Sequence, residues 1–145
     1  MNTIGGLTTK ITFHEVKDII SMEINHGHVS ISLVAGAIPI NLEIVPFTGN
    51  YTVGENTIDG EIYYEGLIKG VVSDVNRTNS GILTKIKNSS CIAINESLTG
   101  NKKVFGTKDQ PITFNFSERI SDSHVFNGYD ISISSNSETL PPFLT

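Results

Sequence analysis

Residues 19–33 read Ile19-Ile20-Ser21-Met22-Glu23-Ile24-Asn25-His26-Gly27-His28-Val29-Ser30-Ile31-Ser32-Leu33, and their period decides the fold. Val29, Ile31 and Leu33 alternate with His28, Ser30 and Ser32, which puts apolar side chains on one face of an extended strand and polar ones on the other. Ile20, Met22 and Ile24 repeat the pattern one segment earlier. Asn25 to Gly27 reads as the turn that joins the two into a hairpin.

The same alternation recurs outward from this hairpin. Ile11–Phe13 begins a first strand, and Ile38, Ile40, Leu42 and Ile44 share a face opposite Asn41 and Glu43, with Pro46 ending the run or marking an edge. Tyr51 to Asn56 and Glu61 to Val72 flank a turn at Asp59-Gly60, and Gly66 and Gly70 predict bulges or bends in the longer strand. Cys91 to Asn95 and Lys102 to Phe105 form a hairpin around Leu98-Thr99-Gly100-Asn101. Ile112, Phe114 and Phe116 align, as do Tyr129, Ile131 and Ile133, whereas Leu140-Pro141-Pro142-Phe143 cannot continue a central strand. Only Ile82, Leu83 and Ile86 keep helical spacing, for one short helix capped near Asn79 or Ser80. The expected fold is mainly β, an antiparallel β-sandwich or barrel with one short helix.

Composition agrees. Alanine occurs only at Ala35, Ala37 and Ala93, while Ile, Val and Thr recur throughout. The 145 residues suit a single β domain over 1–145, with 1–9 and 137–145 as extended arms. Fifteen acidic against ten scattered basic residues give a net charge of −5 and argue against phosphate-driven nucleic-acid binding and a basic membrane-surface role. The start, MNTIGGLTTKITF, has neither a basic nor a continuous apolar signal region, so synthesis in a cytoplasm is expected and no membrane partner is. The lone Cys91 makes no intrachain disulfide and no Cys-based zinc site.

Little in the chain points to catalysis. No nucleophile elbow surrounds a serine, and neither a dinucleotide nor a P-loop glycine frame is present, so neither an enzyme nor a bound cofactor is expected. His26 and His28 are the weak metal candidates: an H-x-H pair would share a strand face, with His14 or Glu15 completing a site, but the pair names no third ligand and the expected metal is none. His124 lies in a polar loop. Glu61 and Glu65 share a strand face and read as solvated charge. Glycosylation sequons at Asn50, Asn76, Asn88, Asn95 and Asn115 follow from a composition rich in Asn, Ser and Thr. Tyr51, Tyr63 or Tyr64 offer rings on which a sugar would stack.

The second half also has an ordered series of features: the strand Gly60-Glu61-Ile62-Tyr63-Tyr64-Glu65 through Val75, the helix at Ile82-Leu83-Thr84-Lys85-Ile86, the Cys91 to Thr107 hairpin, the segment GTKDQPITF over 106–114, and the closing Phe126 to Ile133 strand with its Pro141-Pro142-Phe143 end. In this it resembles, over about residues 35–145, a family of small proteins encoded by tailed bacteriophages and prophages of Bacteroides-like hosts. The resemblance implies a virion structural protein of the tail or head-to-tail neck, a ring- or tube-forming subunit whose partners are its own copies and other tail or neck proteins. It implies no sequence-specific nucleic-acid binding, and an acidic subunit suits a conduit that must not hold DNA. The alternative is a non-catalytic carbohydrate-binding or adhesin-like β-sandwich module.

Overall fold

A computed structural model describes residues 3–120 and 127–145; His124 lies outside them. The chain is mainly β. Strand β1 spans Thr3–Glu15, a 3-10 turn follows at Val16–Asp18, and β2 (Ile19–Asn25) and β3 (His28–Leu33) form the first hairpin. Then come β4 (Ile40–Glu43), β5 (Gly49–Ile58), β6 (Glu61–Ser73), helix α1 (Arg77–Lys87), β7 (Cys91–Ser97), β8 (Lys102–Phe105), β9 (Thr113–Ile120), β10 (Asn127–Ser137) and β11 (Phe143–Leu144). They join in one sheet of order β2-β3-β11-β8-β7-β1-β5-β6-β10-β9, with β4 on β1. Every described pairing is antiparallel except β3 with β11.

The sheet curls into a barrel-like wall. Strands four steps apart in a flat sheet stand about 19 Å apart, yet Phe13 of β1 meets Phe114 of β9 edge to face at 5.6 Å between ring centroids. The curl brings the segment just before β9 back to β7, where Ile112 N–H donates to Cys91 O at 2.9 Å. Inside lie Ile11, Phe13, Leu42, Val53, Ile68, Phe105, Ile131 and Ile133, and α1 closes one opening with Leu83 and Ile86. A second apolar layer forms outside, where Ile19 and Val29 of the first hairpin pack on Ile92, Ile94 and Val104. Strand β7 is therefore buried on both faces, which is why Cys91-Ile92-Ala93-Ile94 reads as an unbroken apolar run.

Several expectations change in detail. The N-terminal arm is instead structure: residues 3–8 pair with β5, and residues 8–15 pair with β7. The C-terminal segment is also tied in, because Ser137 ends β10 and Phe143–Leu144 bridges β3 and β8. Pro141 and Pro142 do not interrupt that bridge, since Pro142 serves only as an acceptor, from Val104 N–H at 2.9 Å. Ile20 leaves the face of Met22 and Ile24 because the ladder slips between Ile19 and Ser21. Ile38 precedes β4 and is 81 % exposed.

Gly66 and Gly70 mark no bulge: the register of β6 runs through both without a shift. They are close-approach positions. A Cβ at Gly66 would stand 2.6 Å from Phe105 Cδ1, and one at Gly70 would stand 2.9 Å from Ile44 Cγ2. The helix starts earlier than expected, with Asn76 as its cap: Asn76 Oδ1 accepts from Asn79 N–H at 2.8 Å, while Asn79 Nδ2 ties back to Ser73 O and Asp74 O.

Candidate functional site

The histidine pair is split by turn geometry. Asn25 pairs with His28, so His26-Gly27 is a two-residue hairpin loop, and both residues have positive φ, 51° and 80°, as a type I′ turn requires. His26 therefore sits at the tip and His28 on the strand, instead of sharing one strand face as the H-x-H spacing led us to expect. His28 lies beside the Phe143 ring, 6.2 Å between centroids. His14 is half-buried on β1 opposite Ile92, where desolvation lowers its pKa against an opposing pull from Asp18. Glu15 instead faces Lys17 at 3.7 Å. Among the described residues, no three His, Cys, Asp or Glu side chains are grouped to hold a metal, and no helix is long and apolar enough to cross a membrane.

The tyrosines do not form one platform. Tyr51 packs edge to face on Phe105 at 6.0 Å, and Tyr64 packs on the same interior, whereas Tyr63 faces a groove of about 570 Å³ with Asp59, Glu61, Glu65 and Glu138. Asn56 Nδ2 donates to Glu65 Oε2 at 3.1 Å in that neighbourhood. On the outer face of β6, β10 and β9, Lys69, Asn115, Ser117, Asp130 and Ser132 line a groove of about 590 Å³. Its Arg119–Asp130 pair, 3.9 Å apart and half-exposed, contributes little. A third groove of about 430 Å³ lies where Pro46 and Phe47 loop out between β4 and β5. Thr48 anchors that loop by accepting from Val71 N–H, which leaves Phe47 84 % exposed at φ 64°.

The free edges of the sheet differ more than its grooves. At the edge of β9, Lys87 of α1 donates to Phe114 O at 3.3 Å and to Asn115 Oδ1 at 2.8 Å, while Ser117, Glu118 and Arg119 further along are exposed. Strand β2 is hydrogen-bonded by β3 alone among the described residues, and it exposes Ile20 (60 %) and Ile24 (45 %). Such an edge is a template for another chain.

No family model, curated protein or solved structure matches the chain.

Two interior features escape a reading by strand pattern. Lys103 Nζ lies 4.9 Å from the centre of the Phe143 ring and 5.8 Å from that of Tyr51, and burial lowers its pKa. Asn95 is fully buried; its Oδ1 accepts from Thr8 Oγ1 at 2.6 Å and its Nδ2 has no partner among the described residues. The position of Asn95 beside Ala93 in an apolar run is the one signal the sequence offers. Thr8→Val alone leaves the whole amide unpaired and is expected to lose about 1–3 kcal/mol in denaturant unfolding. Thr8→Val with Asn95→Leu removes both partners and should recover most of that loss. A double variant as unstable as the single one would show that the pair does not set the cost.

Proposed function

We propose that the chain is a non-enzymatic structural subunit that assembles with copies of itself, and that the assembly is a ring or tube in the virion of a tailed phage, at the tail or the head-to-tail neck. The observation that carries the assembly is the edge at β2, which among the described residues pairs with β3 alone and exposes Ile20. Strand addition at β2 satisfies its outward N–H and C=O groups and covers part of the exposed Ile20. A ring follows when that edge meets a different surface on the next copy, a heterologous contact that closes by rotation. The virion placement rests on the resemblance of residues 35–145, and a net charge of −5 supports it by weakening attraction to DNA.

Size-exclusion chromatography with light scattering tests the assembly, and mass spectrometry of purified particles tests the location. Ile20→Lys is expected to lower self-association at least tenfold while leaving the melting temperature nearly unchanged, because that side chain is already exposed. A wild-type chain that stays monomeric at every concentration and is missing from particles would overturn the proposal.

A further inference from the structure

Strand β6 carries charge of opposite sign toward its two ends. Lys69 lines the groove of about 590 Å³ on the outer face, together with Arg119 of β9 and Asp130 of β10. Lys87 reaches the same place from α1, with its ammonium 2.8 Å from Oδ1 of Asn115, which also lines the groove. Three cations thus stand around one carboxylate among the described residues, in a chain whose net charge is −5. Glu118 belongs to the opposite face of β9, since successive side chains of a strand alternate. Phe116, Val71 and Ile131 give the groove its apolar lining.

The other end of β6 is the β5–β6 hairpin tip. Asp59 and Gly60 form its two-residue loop at φ 52° and 82°, and Ile58, Asp59, Glu61 and Ile62 are all exposed. Glu65 and Glu138 line the adjoining groove with Asp59 and Glu61, and no Lys or Arg does so among the described residues. None of Lys69, Asp59, Glu61 and Glu138 has an ion-pair partner among the described residues. The tip is an acidic and apolar knob, and the groove is a cationic seat with an apolar lining.

Tip and groove of one molecule cannot meet. The ladder from Asn50–Lys69 to Ile58–Glu61 runs without a shift, so the hairpin is extended and Glu61 stands about 27 Å from Lys69 at the usual rise per strand residue. A second copy brings them together. Because two chains of net charge −5 repel on average, docking of opposite patches also selects the orientation in which copies meet.

We infer that, in the assembly proposed above, the β5–β6 tip of one copy, residues 58–62, seats in the β6–β10–β9 groove of the next, with Asp59 and Glu61 against Lys69 and Arg119. The inference rests on that assembly reading and gives it a contact separate from β2. Tip and groove are different surfaces, so the contact is heterologous and sets copies head to tail.

Charge exchange between full-length chains tests it. One variant carries Lys69→Glu with Arg119→Glu; the other carries Glu61→Lys with Asp59→Asn, since Asn tolerates the left-handed backbone of the loop. Each alone is expected to lower the average assembly mass severalfold by light scattering, with a melting temperature near that of the wild type because all four positions are exposed. An equal mixture of the two should regain mass, because each tip then faces a groove of opposite sign on the other chain. Two misfolded chains would not rescue each other. Variants that assemble as the wild type does, as expected if the groove takes only a free anion, overturn the contact and leave the assembly standing. So does a mixture no heavier than its separate components. A wild-type chain that never assembles overturns both.

Discussion

Phe13→Ala is expected to reduce the unfolding free energy by about 3–5 kcal/mol, the largest loss from any single truncation proposed for this chain. The side chain is fully buried, its strand is flanked by β7 at Ala93 and by β4 at Ile40, and its ring meets Phe114 at 82° across the interior. Removing it deletes apolar area and leaves a void that fixed ladders on both sides cannot collapse into. The edge-to-face pair adds about 0.5–1.5 kcal/mol beyond burial, so Phe13→Ala and Phe114→Ala should be non-additive in a double-mutant cycle. Phe13→Leu keeps more of the volume and should lose less. Denaturant unfolding with an unchanged slope checks the result, and a loss below about 1 kcal/mol would mean that the curl of the sheet does not depend on this contact.

Gly66→Val is expected to destabilise by about 3 kcal/mol, at the upper end of overpacking costs. A Cβ there would stand 2.6 Å from Phe105 Cδ1 and 2.7 Å from Ser135 Oγ. The backbone cannot retreat easily, because Gly66 is held opposite Val53 on one side and Ser135 on the other. The obstacle named first is a ring, and this gives the prediction a second arm. Phe105→Leu should be destabilising by itself but should recover part of the stability of Gly66→Ala, a coupling opposite in sign to two independent defects. Gly66→Val unfolding at the wild-type midpoint would contradict the close approach.

Much of the strand inventory was legible because alternation is a local property. The segments at 28–33, 112–116 and 129–134 place their apolar residues inward as their period requires, and Asp59-Gly60 turns as the dipeptide predicts. The departures come from non-local causes. Gly66 reads as a bulge in one dimension, whereas Phe105 of β8, 39 positions away in sequence, is what requires it. Ile20 reads as a core residue until the ladder with β3 slips beside it. His26 and His28 look like a ligand pair until the type I′ loop takes one of them.

The candidate assembly site was less legible for the same reason. The exposed apolar character of Ile20 and Ile24 depends on β2 ending the sheet, and strand order is not encoded in the period of any one strand. The Pro141-Pro142 segment reads as a strand breaker, yet as an acceptor and wedge it completes a gap between two distant strands.

By itself the sequence determined the β class, most strands, the single helix and an acidic, charge-poor surface, because backbone propensity and side-chain alternation act over neighbours along the chain. Tertiary structure alone decided the curl of the sheet, the burial of β7 on both faces, the place of β2 at the end of the described sheet and the seat of the C-terminal tail. These depend on which strands meet, and pairing energies between residues far apart in sequence are set only when the whole wall closes around one interior.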